Sequence, residues 1–265
     1  MTKNLLAALL LLVILPARAA EWQAVPAISA LFASAQLDGT FVVYDPDAQR
    51  LRGHNQVRAE TRFVPASTFK IANSLIGLSV GAVSSVDEVI PYTGDAEPFI
   101  RAWARDMGLR DAIALSNVPI YQALARRIAL PRMQETLQQL HYGNADTGTV
   151  VDRFWLDGPL AISAVEQTRF LARLARQQLP LPHNVQMAVR EILLLERGDD
   201  WRLYGKTGWQ NAPGAGVGWW VGWVEQGDRV QAFALNIDIT TPADADQRIA
   251  LGKASLQQLG LLPLP

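Results

Sequence analysis

The chain has 265 residues, of which 49% are hydrophobic and 18% are charged. This balance indicates a globular protein with a large core and excludes a disordered chain. The net charge of −1, with acids and bases interspersed, argues against a nucleic-acid or membrane-surface partner. The sequence contains no cysteine, which excludes disulfides, thiolate metal sites and a cysteine nucleophile.

The N-terminus has the pattern of a secretory signal. Lys3 supplies a positive charge, residues 5–15 form an apolar run too short to span a membrane comfortably, and Ala17-Arg18-Ala19 fits the small-x-small cleavage rule. We therefore predict a signal peptide over residues 1–19, with an uncleaved anchor as the alternative. The mature protein is expected to be periplasmic or secreted, with no stable membrane association after cleavage.

The hydrophobic pattern predicts strands near both ends and helices between them. We expect a helix over 24–36, strands over 39–44 and 49–54, a helix beginning near 67, a mainly helical region over 84–196, strands over 201–204, 218–225 and 230–237, and a closing helix over 243–259. Ser163 and Glu166 form a capping-box pair at the start of one helix. Gln226-Gly227-Asp228 indicates a hairpin between the last two strands.

This order predicts an α+β fold. The terminal strands should pair into one antiparallel sheet with flanking helices, and the middle helices should form an inserted all-helical lobe. We predict a single catalytic domain over 20–265, with a sheet subdomain at about 20–64 and 197–265 and a helical lobe at about 65–196. The helix that begins near residue 67 would then lie at the seam, where clefts usually form.

Ser67 and Lys70 are the strongest candidates for catalysis. They lie three residues apart at the start of a predicted helix that follows Pro65, so both fall on one helical face. A serine, a nearby amine and the free N–H groups of a helix N-terminus are the components of a serine acyl-transfer site. Ser-x-x-Lys alone is a weak motif, because most matches are a cap residue followed by a solvated charge.

Lysine usage strengthens this interpretation. The chain has only four lysines, at positions 3, 70, 206 and 253, among 24 basic residues. Arginine cannot lose its proton in a protein, whereas a desolvated lysine can. A chain that prefers arginine and still has lysine beside a serine indicates a titratable amine, whose pKa the apolar neighbours Phe69 and Ile71 would lower.

Other polar residues can complete such a site. Lys206-Thr207-Gly208 follows a predicted strand and can bind a substrate carboxylate, with the Trp209 N–H as a second oxyanion donor beside that of Ser67. Ser116 precedes a helix break and can relay a proton, and Arg248 can reach an anionic group. Alone, Ser116 is more simply a capping residue and Arg248 a surface residue.

Two competing sites are disfavoured. Gly77-Leu78-Ser79-Val80-Gly81 matches the Gly-x-Ser-x-Gly elbow, but here Ser79 ends a helix, and Gly77 and Gly81 have the pattern of termination signals. The three histidines are not at ligand spacing and cysteine is absent, so no metal site is predicted.

Several short motifs occur together in one order, with Arg248 after them: Ser67-Thr68-Phe69-Lys70, Ser116-Asn117-Val118, Tyr142-Gly143-Asn144, Phe154-Trp155-Leu156, Lys206-Thr207-Gly208 and Gly218-Trp219-Trp220-Val221-Gly222-Trp223. In order and spacing they resemble class D β-lactamases, the oxacillinase type, over essentially the whole mature chain. The resemblance implies a DD-peptidase/β-lactamase-like fold and a serine hydrolase that opens the ring of penicillin-type antibiotics.

The resemblance also implies a role for each residue. Ser67 would form the acyl-enzyme, and Lys70 would carry a CO2-derived carbamate (N6-carboxylysine) as general base, with no other cofactor and no metal. Trp155 would hydrogen-bond that carbamate, Val118 would shield it, and Ser116 would relay a proton to the leaving nitrogen.

The resemblance implies that the remaining residues would bind the substrate and that the Ser67 and Trp209 N–H groups would form the oxyanion hole. Lys206, Thr207 and Arg248 would hold the drug's carboxylate, and Leu156 and Gly208 complete the predicted substrate-binding set.

Two alternatives share the serine and lysine motifs: a penicillin-binding D,D-peptidase and a β-lactam sensor domain. Tyr142-Gly143-Asn144 together with Trp155 argues against the peptidase, and a single cleavable leader argues against a sensor at the end of a multi-span protein. The expected partner is a small-molecule β-lactam, and the expected assembly is a monomer or homodimer.

Overall fold

The computed structural model describes residues 20–210 and 216–264. The predicted signal peptide, residues 1–19, lies outside these residues, as do residues 211–215 after Gln210. Within the described ranges, no helix is both long enough and apolar enough to cross a membrane.

Within the described residues, seven strands form one sheet in the order β1-β3-β2-β9-β8-β7-β6, and β4 pairs with β5. The strands are β1 Glu21–Ala24, β2 Gly39–Asp45, β3 Arg50–His54, β4 Arg62–Phe63, β5 Ile162–Ser163, β6 Leu194–Arg197, β7 Trp201–Gln210, β8 Gly216–Gln226 and β9 Arg229–Ile239. N-terminal β2 pairs antiparallel with C-terminal β9. The predicted α+β fold, with a sheet built from both ends of the chain, is confirmed.

Helices cover both faces of this sheet. They are α1 Pro26–Ala35, α2 Gln56–Glu60, α3 Lys70–Ser79, α4 Leu109–Ala114, α5 Val118–Ile128, α6 Leu130–Leu140, α7 Ala164–Ala175, α8 His183–Ile192 and α9 Pro242–Gln258, with 3-10 turns at Ala66–Phe69 and Arg101–Trp103. Helices α1 and α9 pack a smaller core against one face, and the larger core joins the other face to α3–α8. The predicted capping box is present at α7, where the Ser163 hydroxyl accepts from the Glu166 N–H.

Three local features differ from the sequence-based expectations. Strand β1 was not predicted, and it pairs parallel with β3, so the sheet is not wholly antiparallel. Strand β6 lies inside the range predicted to be helical, because a turn at Gly198, whose N–H donates to Trp201 O, folds β6 back onto β7. The segment between α3 and α4 contains only a short 3-10 turn, so the region 84–196 is less helical than predicted.

Gly77 was interpreted as a termination signal, and this was wrong. It lies inside α3, where an added Cβ would come within 2.8 Å of Leu124 Cδ1. The glycine therefore allows α3 and α5 to pack closely. Gly81, by contrast, has φ +71, the left-handed conformation typical of a residue just after a helix.

Candidate active site

Ser67 lies in the 3-10 turn that leads into α3, and Lys70 is the first residue of that helix. Lys70 Nζ lies 2.7 Å from Ser67 Oγ, within hydrogen-bonding distance. Ala66, directly before the serine, is fully buried and has φ +48, a left-handed conformation that is costly for alanine. The surrounding fold therefore holds the backbone of this turn in a strained conformation.

The Lys70 amine is fully buried and lies 5.4 Å from the centre of the Tyr121 ring. Desolvation, with a smaller contribution from the charge of Lys206, lowers the pKa of Lys70 well below its ordinary value. The neutral amine is therefore favoured at this position. A neutral lysine can accept a proton or act as a nucleophile, whereas an ammonium group can do neither.

An aromatic cluster lies directly behind this pair. The Phe69 ring stacks on Trp155 with centroids 5.2 Å apart and meets Phe154 edge to face at the same distance. Trp155 is fully buried, and its Nε1 has no hydrogen-bond partner within the described part of the chain. An unpaired buried N–H is costly, so this donor is available to an acceptor placed beside it.

The Tyr142-Gly143-Asn144 motif fixes the loop that carries Trp155. The Asn144 side chain donates to Pro159 O at 2.9 Å and accepts from the Ala161 N–H at 3.0 Å. Gly143 has φ +56, and a Cβ there would come within 2.2 Å of Ala161 O. This motif therefore acts as a clamp that positions the loop behind the serine.

Ser116 and Lys206 form a second hydroxyl–amine pair. Lys206 Nζ lies 3.0 Å from Ser116 Oγ and donates to Thr207 O at 3.0 Å. Ser116 adopts φ +53 between α4 and α5. Burial, followed by the charge of Arg248, lowers the pKa of Lys206 to about 7, so this amine can change its charge near neutral pH.

Strand β7 presents an open edge to the Ser67 turn. The Gly205 N–H donates to Leu193 O, and the pairing with β6 extends no further along β7 than Tyr204. Because N–H directions alternate along a strand, the Trp209 N–H points to the same edge as that of Gly205. An added Cβ on Gly208 would lie 3.0 Å from both Pro65 O and Thr68 Cγ2, so the strand and the turn are in close contact.

Arg248 reaches strand β7 from α9. Its Nη1 donates to Gly208 O. Gly218 on β8 leaves room for the side chain, because a Cβ there would come within 2.9 Å of Arg248 Cδ. The guanidinium is therefore fixed beside β7.

These elements enclose a cavity of about 620 Å³ between β7 and the helical lobe. It is lined by Ser67, Phe99, Ile100, Trp103, Ser116, Val118, Arg153, Thr207, Gly208, Trp209 and Arg248. Lys70 lies behind Ser67, and Lys206 behind Ser116. Leu156 packs half-buried against the larger core.

The sequence analysis missed four lining residues: Phe99, Ile100, Trp103 and Arg153. Phe99 and Ile100 lie in an irregular loop, where no periodic pattern identifies a facing partner. Trp103 is tied to the Ser116 loop, because its Nε1 donates to Leu115 O at 2.9 Å. The sequence signal for this part of the cavity was the adjacent apolar pair Phe99 and Ile100 in an otherwise polar loop, because exposed apolar patches commonly mark binding sites.

Gly208→Ala is expected to lower kcat/KM for the substrate that the resemblance implies, a β-lactam, by about 10- to 100-fold, because misplacing reacting groups by an ångström can cost about 10²-fold. The new methyl group would push β7 away from the Ser67 turn. Steady-state kinetics test this expectation.

Gly205→Ala is the matched control. A Cβ there would also meet close neighbours, Val221 O at 3.0 Å and Leu195 Cδ1 at 3.1 Å, but none of them belongs to the Ser67 turn. It should lower the melting temperature with a much smaller effect on kcat/KM. Equal losses of kcat/KM in both variants would contradict the importance for catalysis of the contact between β7 and the Ser67 turn.

The chain is similar in sequence to proteins of one family. Residues 39–256 match the family model of the penicillin binding protein transpeptidase domain. The chain is 39% identical over 249 residues to beta-lactamase OXA-48 of Klebsiella pneumoniae, covering 94% of both chains. It is 40% identical over 201 residues to the probable beta-lactamase YbxI of Bacillus subtilis, covering 76% of this chain and 74% of that protein.

A solved structure shows the same fold as this chain. The crystal structure of FUS-1 (OXA-85), a class D beta-lactamase from Fusobacterium nucleatum subsp. polymorphum, superposes with a TM-score of 0.87 at 41% identity, covering 91% of this chain and 100% of that one. The fold and the family match therefore define a protein of the penicillin-binding transpeptidase type. Within that group, the chain belongs to the class D β-lactamases, which hydrolyse β-lactams. This result favours a β-lactamase over the D,D-peptidase and sensor alternatives.

Proposed function

We propose that the chain opens β-lactam rings through an acyl-enzyme on Ser67, with Lys70 as the general base in a CO2-carboxylated form. The observation that carries the proposal is a fully buried Lys70 amine 2.7 Å from Ser67 Oγ. A proton can pass directly between these two side chains. The burial favours the neutral amine, which is the form that can add CO2 and so carry the carboxylate that serves as the base.

The residues around Lys70 fit a carbamate. Only a neutral amine captures CO2, and desolvation lowers the pKa of Lys70 in that direction. The unpaired Nε1 of buried Trp155, which stacks on Phe69 next to Lys70 in the chain, supplies a donor without an acceptor. By adding CO2 and losing a proton, Lys70 would carry a carboxylate that could accept the Ser67 proton and later activate water.

Ser116 and Lys206 support a second proton path. Their 3.0 Å contact links a hydroxyl that lines the cavity to an amine whose pKa is about 7. A proton can therefore pass through Ser116 to the leaving nitrogen when the β-lactam C–N bond breaks. General acid–base catalysis of this kind contributes about 10²–10⁴-fold in rate.

The β7 edge supports substrate binding. Thr207, Lys206 and Arg248 form a cationic and hydroxyl-bearing end that suits the carboxylate of a β-lactam. The N–H groups of Ser67 and Trp209 would donate to the oxygen that becomes negative during attack. Val118 lines the cavity as an apolar residue and would limit the access of water to Lys70, and Leu156 packs half-buried against the larger core.

Trp155→Phe tests the carbamate directly. The variant keeps a ring stacked on Phe69 but removes the N–H donor. A hydrogen bond to a charged group contributes about 1.5–3 kcal/mol, so CO2 affinity should fall by about 10- to 100-fold. We expect a weaker carbamate signal in the ¹³C NMR spectrum of ¹³C-bicarbonate-treated protein, and activity that bicarbonate restores.

Trp223→Phe is the control. Trp223 is a fully buried indole in the sheet whose Nε1 donates to Glu225. Its replacement should lower stability without changing the ¹³C signal. A Trp155→Phe spectrum identical to that of the unmodified sequence, with no bicarbonate dependence, would rule out the assigned role of this N–H.

A further inference from the structure

The active-site cavity carries a positive charge on each of its two sides. Arg248 lies on the sheet side, bound to Gly208 O on β7. Arg153 lines the same cavity from the loop before Trp155, which belongs to the helical lobe. Gln122 on α5 donates to Asp152 O at 3.1 Å and so ties the Arg153 loop to the helix whose first residue, Val118, also lines the cavity.

Arg153 makes only a weak, solvent-exposed ion pair within the described residues. Its Nε donates to Asp157 at 2.6 Å, but the two side chains are 56% and 53% exposed. Exposed ion pairs contribute little because water competes for both charges. A substrate anion in the cavity can therefore replace Asp157 at small cost.

The surroundings of Arg153 define what it can recognise. The lobe side of the cavity is otherwise apolar, with Phe99, Ile100, Trp103 and Val118. Among the described lining residues no carboxylate is present, and the like charge that an anion would meet at Arg153 is that of its ion-pair partner Asp157. On this side Arg153 is the charged group available to a ligand.

In a penicillin, different groups of the molecule would face the two sides of the cavity. Its ring carboxylate and its acyl side chain project from opposite ends of the bicyclic nucleus, and the carbonyl that Ser67 attacks lies between them. If Lys206, Thr207 and Arg248 hold the ring carboxylate, the acyl side chain extends toward the lobe side. This step rests on the function proposed above.

We propose that Arg153 is a specificity-determining residue that binds a second negative charge on the acyl side chain. The favoured substrates are then dianionic β-lactams, in which a carboxylate on the side chain adds to the ring carboxylate. The contact forms at a partly solvated rim, so the expected preference is modest, about threefold to fivefold in kcat/KM.

The test compares two penicillins that differ by one carboxylate, benzylpenicillin and α-carboxybenzylpenicillin. Arg153→Gln should lower kcat/KM for the dianion by about threefold to fivefold relative to that for the monoanion. Asp157→Asn removes the competing acceptor and should shift the ratio in the opposite direction. Raising salt from about 0.1 M to about 1 M should reduce the preference in the unmodified protein, because the screening length falls from about 10 Å to about 3 Å.

Arg127→Gln is the matched control for net charge. Arg127 pairs with Glu88 at 3.1 Å and lines a separate surface cavity, so its loss should leave the ratio of the two substrates unchanged. Arg153→Lys should restore part of the preference, because it keeps the charge.

The outcomes separate this proposal from the proposed function. If Arg153→Gln lowers kcat/KM for both substrates equally, or for neither, the specificity role of Arg153 is wrong. Continued turnover of benzylpenicillin would still support the proposed serine mechanism. If the unmodified protein is acylated by benzylpenicillin but does not turn over, the proposed function fails first.

Discussion

Ser67→Ala is expected to abolish β-lactam hydrolysis, with kcat lowered by about 10⁴-fold or more, as for other nucleophile removals. The hydroxyl is the group that lies 2.7 Å from the Lys70 amine and lines the 620 Å³ cavity. Without it no acyl-enzyme can form. The measurements are hydrolysis of a chromogenic cephalosporin and intact mass after mixing with benzylpenicillin, which should show no adduct.

Ser79→Ala is the control, because Ser79 occupies the Gly-x-Ser-x-Gly pattern that competes with Ser67. Its hydroxyl donates to Ile76 O at 2.9 Å at the far end of α3. This variant should keep its activity. Full turnover in Ser67→Ala together with loss of turnover in Ser79→Ala would identify Ser79, and not Ser67, as the nucleophile.

Features set by short-range spacing were predictable from the sequence. The capping box at Ser163 and Glu166 depends on residues three apart, and the hairpin at Gly227 depends on a turn between two neighbouring strands. The Ser67–Lys70 pair belongs to the same kind of pattern, because one helical turn brings the two side chains together.

Features that depend on distant packing were not predictable. Strand β1 pairs with β3 although helix α1 and strand β2 lie between them in the chain, and no local pattern specifies that partner. Arg153 reaches the cavity because a loop is clamped by Asn144 and tied to α5 by Gln122. These contacts join residues far apart in the chain, whereas hydrophobic periodicity describes only near neighbours.

Of the three lysines within the described residues, two have an amine whose pKa is lowered. Lys70 and Lys206 are both buried, and burial lowers the pKa of each. Lys253 instead makes a partly exposed ion pair with Glu196 at 2.5 Å. In this arginine-rich chain the two buried lysines lie where a removable proton is useful, which arginine cannot supply.

Lys70→Ala is expected to lower kcat for β-lactams by about 10²–10⁴-fold, the usual contribution of a general base. Because Ser67 remains, slow acylation can still occur, but water then lacks a base to release the product. The acyl-enzyme should accumulate, and intact mass should show a stable adduct of one penicillin per chain. Bicarbonate should not restore activity, since the amine that captures CO2 is absent.

Lys253→Ala removes an exposed lysine and is the matched control, with kinetics expected to remain unchanged. Melting temperatures of both variants identify any loss of folding, because truncating buried Lys70 leaves a cavity. A folded Lys70→Ala protein that still hydrolyses benzylpenicillin at the full rate would refute the base assignment. A folded variant that never becomes acylated would show that Lys70 is already required to activate Ser67. The role of Lys70 in deacylation would then be tested by the bicarbonate dependence of Trp155→Phe.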